Sequence, residues 1–501
     1  MTKRLAHATG HRLIPEFMAS HAYSSLTCSP TSSCGDADRK TVRSMPPTDD
    51  ATSRSGRLRR TAAIASVLAA MVLVVLDAAI ANVALPSIAR SLQVTPGMSV
   101  WIVTAYQAAL LMALLPCAAL GESLGYRRVF TVGVALFIGA SALCAVSPTL
   151  PWLVAARFLQ GLGGAAVLAL GVALLRFVVP DGQLGAAIGW NALAVALSSA
   201  AGPTIGAAIL SVTGWPWLFA VNVPLGVFVL LATRALPMVD GTARRLDLSS
   251  VALNAGAFAS LVLGAELLPA RPAVGAVLLA VAAVVLVVLV RREGPKEAPL
   301  VPLDLLRADS FLISVTASVC CFAGVSAGMV ALPFYLQHGL GQGIWTTGLY
   351  MTPWPLTAAV AAPFAGRLVK RVSTACLCVV GGACLSIGLL AAAWWPMQGH
   401  PLLLLVPITM LCGLGFGLFQ VPNNHNMFLA APPERSGAAG GMQSTARLVG
   451  QTSGAIIMTG LFTLTSVDAA PRIGLGIAAV LAMAAGLVSA LRVTRIVRQG
   501  A

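Results

Sequence analysis

The chain has 501 residues, of which 57% are apolar and 10% charged, and a formal net charge of +15. Soluble domains carry roughly 25% charged residues, so the composition excludes a soluble globular fold. The positive charge does not mark a nucleic-acid binder, because the basic residues fall in the gaps between apolar runs, where they act as topology signals.

Residues 1–58 are polar and rich in Ser, Thr, Arg and Lys. They contain no apolar run of the kind a signal peptide needs. Their few large apolar residues predict a disordered, basic cytosolic N-terminal tail. A membrane-crossing helix needs about 20 mostly apolar residues, and such stretches then follow one another from residue 61 to 491. The predicted helices are 61–84, 98–120, 129–147, 152–175, 185–211, 217–236, 248–268, 273–290, 311–336, 345–366, 374–395, 401–421, 437–465 and 473–491. Their number is even, so both termini face the same side. With a cytosolic N-terminus, the inner connections and tails collect nearly all Lys and Arg, and the outer connections hold only Arg90, Arg271 and Arg472. That bias supports the helix count and the orientation.

These elements predict an all-α membrane protein with about 14 transmembrane helices. Two six-helix pseudo-repeat bundles, 59–236 and 310–492, flank two linker helices and a cytosolic loop at 237–309, and residues 493–501 form a cytosolic tail. A weak echo relates the halves: G-E-S-L-G-Y-R-R follows the second helix and G-R-L-V-K-R follows the tenth. Internal pseudo-repeats are a transporter signature. The ten cysteines show no CxxC and the six histidines no ligand spacing. The cysteines read as small apolar fillers, and no metal site is expected.

A charge at the centre of a membrane helix costs at least roughly 2.5–3.5 kcal/mol and persists when it has a partner or a task. Asp77, in V-L-V-V-L-D-A-A-I, is the one acid deep in an apolar run. Glu266 lies about 18 residues into the seventh helix and is expected at the outer interface. Arg157 is the natural partner of Asp77. At 1.5 Å per residue, Asp77 lies about 24 Å along the first helix from inside and Arg157 about 8 Å along the fourth from outside, so the two share a layer. Tyr106 and Gln107 enter that layer from the second helix. An acid facing an arginine pairs when ionised and releases it when protonated, which is the chemistry of proton coupling.

Small and polar stripes complete the pattern. The fourth helix aligns Arg157, Gly161, Gly164, Leu168 and Gly171. The fifth carries G-P-T-I-G, with Gly202 and Gly206 spaced for close helix contact and Pro203 as a kink. The twelfth aligns Gly413, Gly417, Gln420 and Asn424, with Asn423 beside them. The thirteenth aligns Gly440, Ser444, Arg447, Gln451 and Gly454, with Gln443 nearby. The amides Gln420, Asn423, Asn424, Gln443 and Gln451, with Arg447 and with Tyr106 and Gln107 of the second helix, are the candidates to line a polar substrate pathway.

Over residues 60–495 these features resemble the major facilitator superfamily, and within it the fourteen-helix drug:proton antiporters. L-D-A-A-I-A-N-V-A-L-P, with Asp77, Asn82 and Pro86, is similar to that family's first helix. L-V-A-A-R-F-L-Q-G-L-G-G-A resembles its fourth-helix motif, whose arginine, here Arg157, is linked to proton transfer. Gly202, Pro203 and Gly206 resemble the antiporter motif. W-P-W-L-F-A-V-N-V-P-L-G, with Trp215, Trp217, Phe219, Asn222, Pro224 and Gly226, resembles the start of the sixth helix. G-F-G-L-F-Q-V-P-N-N and S-T-A-R-L-V-G-Q resemble the twelfth and thirteenth. Three departures stand out. The cytoplasmic gating loop keeps Gly125, Arg127 and Arg128 but has Ala118, Glu122 and Ser123 where the family has glycine, aspartate and a basic residue. Pro216 replaces an arginine between the two tryptophans. Ala207 replaces the second glycine of the antiporter motif.

The resemblance implies multidrug efflux. The expected activity is alternating-access antiport at a bacterial cytoplasmic (inner) membrane, with protons moving in and a drug, dye or toxic amphipathic metabolite moving out, and both termini in the cytosol. The alternative is a transporter specific for one metabolite, such as a sugar, siderophore or amino-acid derivative. An enzyme would need a His, Asp or Glu cluster at one membrane face, and none is visible. No cofactor is expected beyond the proton gradient. The expected partners are membrane lipid, protons and the small-molecule substrate, around a monomer. A periplasmic adaptor is left open as a further partner.

Overall fold

A computed structural model describes residues 54–179, 181–238, 247–294, 305–394, 402–432 and 436–499. The expectation for the tail up to residue 53 lies outside the described residues, as does most of the loop following the linker helices. The described chain is helical from end to end, in fourteen successive segments. The first six are α1 (Arg54–Ser91), α2 (Pro96–Leu124), α3 (Tyr126–Ala145), α4 (Leu150–Val178), α5 (Asp181–Val212) and α6, made of Pro216–Ala220 and Asn222–Ala232. The linker pair is α7 (Leu248–Leu267) and α8 (Pro272–Glu293). The last six are α9 (Asp309–Phe334), α10, made of Ile344–Met351 and Pro353–Leu368, α11 (Thr374–Trp394), α12 (Leu405–Leu429), α13 (Ser436–Leu464) and α14 (Ala469–Gln499).

Two boundaries differ from expectation. α1 starts at Arg54, inside the stretch expected to be disordered, because arginine and leucine are good helix formers and simply extend the apolar run. α14 continues to Gln499, through the residues expected as a tail. Nothing in R-V-T-R-I-V-R-Q breaks a helix, and basic residues suit a helix C-terminus.

Twelve helical segments are long and apolar enough to cross a membrane. The other two are α10 and α13. α10 is interrupted at Thr352, where Pro353 and Pro355 follow in quick succession, so neither piece reaches spanning length. α13 is long enough but is diluted by Gln443, Ser444, Thr445, Arg447, Gln451, Thr452 and Ser453. A helix that polar spans a bilayer only when its polar face is covered by protein or lines a cavity.

The packing repeats between halves. α2 packs on α4, α3 on α4 and α1 on α5 in the first half; α10 packs on α12, α11 on α12 and α9 on α13 in the second. The cross-contacts are reciprocal. α2 of the first half meets α13, the fifth helix of the second, and α5 meets α10, the second helix of the second. Two six-helix bundles thus face each other about a pseudo-two-fold axis. α7 and α8 form a hairpin, and α7 lies against both α2 and α13. α8 presents Val277, Val284 and Val287 outward, the composition of a lipid-facing surface.

Glycine sets the closest approaches. On α4, Gly161 lies against the Tyr106 carbonyl and Ala109 of α2, and Gly171 against Met71 of α1. Gly202 and Gly206 of α5 lie against Ala79 and Ile80 of α1. At the seam between the bundles, Gly348 of α10 lies against Pro203 and Ala207 of α5, and Gly97 of α2 against Phe462 and Thr459 of α13. Thr204 is hydrogen-bonded to Thr352 across the first seam. Arg90 Nη2 donates to Gln337 Oε1 at 3.1 Å across the end of α1. These contacts lie toward the end of the molecule where α1 finishes and α2 begins. That end is closed.

Candidate functional site

Asp77 and Arg157 meet. Arg157 Nη1 lies 2.5 Å from Asp77 Oδ2, and both side chains are almost wholly buried. α1 supplies the acid and α4 the guanidinium, held together because the glycine face of α4 lets it lie close to α1 and α2. The carboxylate has two further donors. Gln160 Nε2 donates to Oδ1 at 3.0 Å and Asn222 Nδ2 donates to the same oxygen at 2.6 Å. Four helices, α1, α3, α4 and α6, converge here, because Gln160 Nε2 also donates to Ser141 Oγ at 2.8 Å.

Arg157 has partners besides the acid. Its Nη1 donates to Gln160 Oε1 at 2.6 Å, and its Nε donates to the Ile102 carbonyl at 3.3 Å. Its guanidinium carbon lies 4.3 Å from the centre of the Tyr106 ring and 5.4 Å from that of Phe219, within the range of cation–π attraction. The Tyr106 hydroxyl donates to the Val74 carbonyl at 3.3 Å, fixing that ring. This arrangement decides the chemistry available. Were Asp77 to take a proton, Arg157 would keep two hydrogen-bond acceptors and two aromatic faces. Asp77 Oδ1 would still accept from Asn222 and Gln160. The pair can lose its charge attraction while both members keep hydrogen-bond partners, which lowers but does not remove the cost of leaving the buried guanidinium without a counter-ion.

The other site candidates are distributed as follows. Gln107 is partly buried with its Oε1 unpartnered. Arg447, from α13, approaches Tyr106 from the opposite bundle, and its Nε is buried without a hydrogen-bond partner. Gln420, Asn424, Gln443 and Gln451 are half-buried. Asn423 differs from the rest: it is 1% exposed, and its Nδ2 donates to the Ser314 carbonyl at 3.0 Å and Ser318 Oγ at 2.7 Å. In this conformation it ties α12 to α9 and does not line an open path. In the loop after α2, Gly125 has φ +98° and closes the helix with its N–H on the Gly121 carbonyl at 3.1 Å. A side chain would be strained at that φ. Glu122 is exposed, and Arg127 and Arg128 line a groove of about 590 Å³ with Leu124, Arg234 and Met238. Gly202, Pro203 and Gly206 form the contact faces of α5 described above. The departure at Ala207 has a structural counterpart, because its methyl fits against Gly348 of α10. Pro216 stands at the first position of α6, where proline is well tolerated.

Two buried groups were given no site role in the sequence reading. Gln160 is fully buried at the heart of the network. Its signal was present, three residues after Arg157 and therefore on the same helix face. Asn222 lay in the sixth-helix motif without a role. Glu266 corrects an expectation. It lies near the end of α7, as expected, but is covered by α2 and α13 and only 3% exposed, because α7 runs into the groove between those helices. Among the described residues no group of three His, Cys, Asp or Glu side chains comes together to hold a metal.

Comparison with known proteins agrees with this architecture. Residues 67–455 match the Major Facilitator Superfamily family model. The chain is 44% identical over 444 residues to the uncharacterized transporter YebQ of Escherichia coli, covering 87% of this chain and 96% of the relative. It is 32% identical over 396 residues to the multidrug resistance protein Stp of Mycobacterium tuberculosis, covering 77% and 73%. It is 29% identical over 391 residues to the riboflavin transporter RibZ of Clostridioides difficile, covering 77% and 85%. Fourteen helices in two reciprocal bundles, a buried acid–arginine pair and these matches place the chain in the Major Facilitator Superfamily, as a multi-pass membrane transporter.

Proposed function

We propose that this transporter exports small amphipathic compounds in exchange for protons by alternating access, as a drug:proton antiporter. The observation that carries the reading is the buried Asp77–Arg157 pair with ready alternative partners for both members. Protonation of Asp77 frees Arg157 toward Tyr106, Gln160 and the Ile102 carbonyl, and loss of the proton restores the pair. The two α1–α4 positions then bias one bundle between two packings, and the bundles tip about a midplane site. Net exchange requires that proton and substrate disfavour each other's binding.

Gln107, Gln420, Asn424, Gln443, Arg447 and Gln451 are the residues proposed to meet substrate between the bundles. The unpartnered Arg447 Nε is a donor available to an oxygen of the substrate. Gly125, Arg127 and Arg128 with Glu122 form the inner gating loop, and Gly202, Pro203 and Gly206 the flexing contact of α5 with α1. The protein works as a monomer in a bacterial cytoplasmic membrane with both termini inside. The similarity to a multidrug resistance protein supports the broad substrate class. The similarity to a riboflavin transporter favours a second reading, a carrier for one metabolite.

A panel of dyes, antibiotics and vitamins, assayed in proteoliposomes with an imposed proton gradient, separates the two. The first reading expects gradient-driven transport of several unrelated compounds, abolished by an uncoupler and by Asp77→Asn. Transport of a single compound supports the second. Transport indifferent to the uncoupler refutes proton coupling altogether.

A further inference from the structure

The linker hairpin carries an acid that the Asp77 network does not use. Glu266 of α7 is buried where α7 fits between α2 and α13. From α13 the Thr459 hydroxyl donates to Glu266 Oε1 at 3.4 Å. From α2 the Thr104 hydroxyl faces the same carboxyl. Glu266 Oε2 and Thr104 Oγ1 are both buried without a hydrogen-bond partner. Among the described residues no charged side chain of α2, α8 or α13 forms an ion pair with the carboxyl. Arg271, the next basic residue along the chain, is exposed in the turn of the hairpin.

A carboxylate in that position would be a buried charge with hydroxyl neighbours but no counter-ion, which proteins avoid by pairing or by protonation. A proton on Oε2 removes the charge, and the new O–H can donate to the Thr104 oxygen while Oε1 keeps the Thr459 bond. The Thr104 hydroxyl can equally donate to an ionised Oε2, so it is the loss of the buried charge that favours the neutral acid. The location gives that proton a consequence. The Thr459 carbonyl also lies against Gly97 of α2, at one of the two seams where the bundles meet. Alternating access, on which this inference rests, must part α2 from α13 there and expose the acid to the outer solution.

We propose that Glu266 is a proton-binding latch: it takes a proton from the outer solution when the α2–α13 seam is open, and the seam closes only over the neutral acid. Its proton returns to the same side at the next opening, so it gates the cycle without crossing the membrane. The inserted hairpin is then more than a spacer, because it carries the group that reports external acidity to the closing seam.

The test uses the full chain in right-side-out vesicles. Dicyclohexylcarbodiimide adds the oxygen of a neutral carboxyl across its C=N bond, the acid's proton passing to nitrogen, and mass spectrometry locates the adduct. Adduct at Glu266 should form at acid external pH and decline as external pH rises. In transport, two external protonations in the wild type give a rate that falls about a hundredfold per pH unit on the alkaline limb, and Glu266→Gln, leaving only Asp77, about tenfold. The number of protons exchanged per substrate should be unchanged in Glu266→Gln. An adduct yield independent of pH, no adduct at Glu266 at any pH, or a wild-type alkaline slope in Glu266→Gln overturns the proposal. Labelling is independent of transport, so it stands even if Asp77→Asn shows the antiport reading to be wrong.

Discussion

Asp77 accepts hydrogen bonds from three side chains on two other helices, so its charge and its position are separable. The charge is answered by Arg157. The position is fixed by Gln160 and Asn222, which stay useful to a neutral acid. Gln160 is the hinge of this logic, because it touches Asp77, Arg157 and Ser141 at once. Gln160→Leu has similar bulk but strips these bonds and that from Cys144 Sγ, and the two to charged groups contribute roughly 1.5–3 kcal/mol each, more when a buried partner is orphaned. Its thermal unfolding midpoint in detergent should fall, and coupling should loosen even where protein survives in the membrane. Wild-type melting and wild-type transport together would mean that Gln160 is a bystander. The ion pair was legible in the sequence because two charges in apolar runs are conspicuous. Gln160 was less so, since an uncharged amide in a helix is ordinary and only its spacing from Arg157 marks it. Glu266 was misread because position along a helix gives depth but not which neighbours cover the side chain.

At the scale of the element, the α5–α10 seam is built from glycine on one side and a small residue on the other. Ala207 stands where the resemblance expects glycine, and Gly348 across the seam provides the missing space. The two positions should therefore trade. Gly348→Ala puts methyl against methyl, an overpacking that costs about 1–3 kcal/mol where neighbours cannot shift, and it should slow the cycle by impeding closure of the α5–α10 seam. Ala207→Gly in the same chain should recover part of the lost rate, the Pro203 carbonyl still crowding the added methyl. Failure of that rescue, measured as substrate flux in vesicles, would show that the seam does not close by this contact. The α5 stripe was readable as a contact face. Its partner was not, because single-sequence spacing does not say which helix lies opposite. The break in α10 follows from the crowded prolines of T-P-W-P, and the polarity of α13 from the pathway side chains it carries.

For the whole molecule, apolar run length read out all fourteen helical segments, since bilayer thickness leaves little freedom in span length. The ends were less clear, because nothing in the sequence marks where α1 and α14 stop beyond their apolar runs. The distribution of Lys and Arg further predicts that the connection between α10 and α11, with Arg367, Lys370 and Arg371, is cytosolic. Cys376 is exposed beside it. A membrane-impermeant maleimide should modify the Cys376 peptide in inside-out vesicles and leave it unmodified in intact cells. The reverse pattern would invert the topology and, with it, the direction of transport.

The account turns on whether the Asp77 carboxyl exchanges a proton as part of the transport cycle. Asp77→Asn, reconstituted into proteoliposomes, separates coupling from movement when gradient-driven transport is compared with substrate counterflow at equal pH on both sides. The account predicts that counterflow persists, because the bundles can still tip with substrate bound, while a proton gradient no longer drives net transport. Gradient-driven transport at the wild-type rate in Asp77→Asn would contradict it.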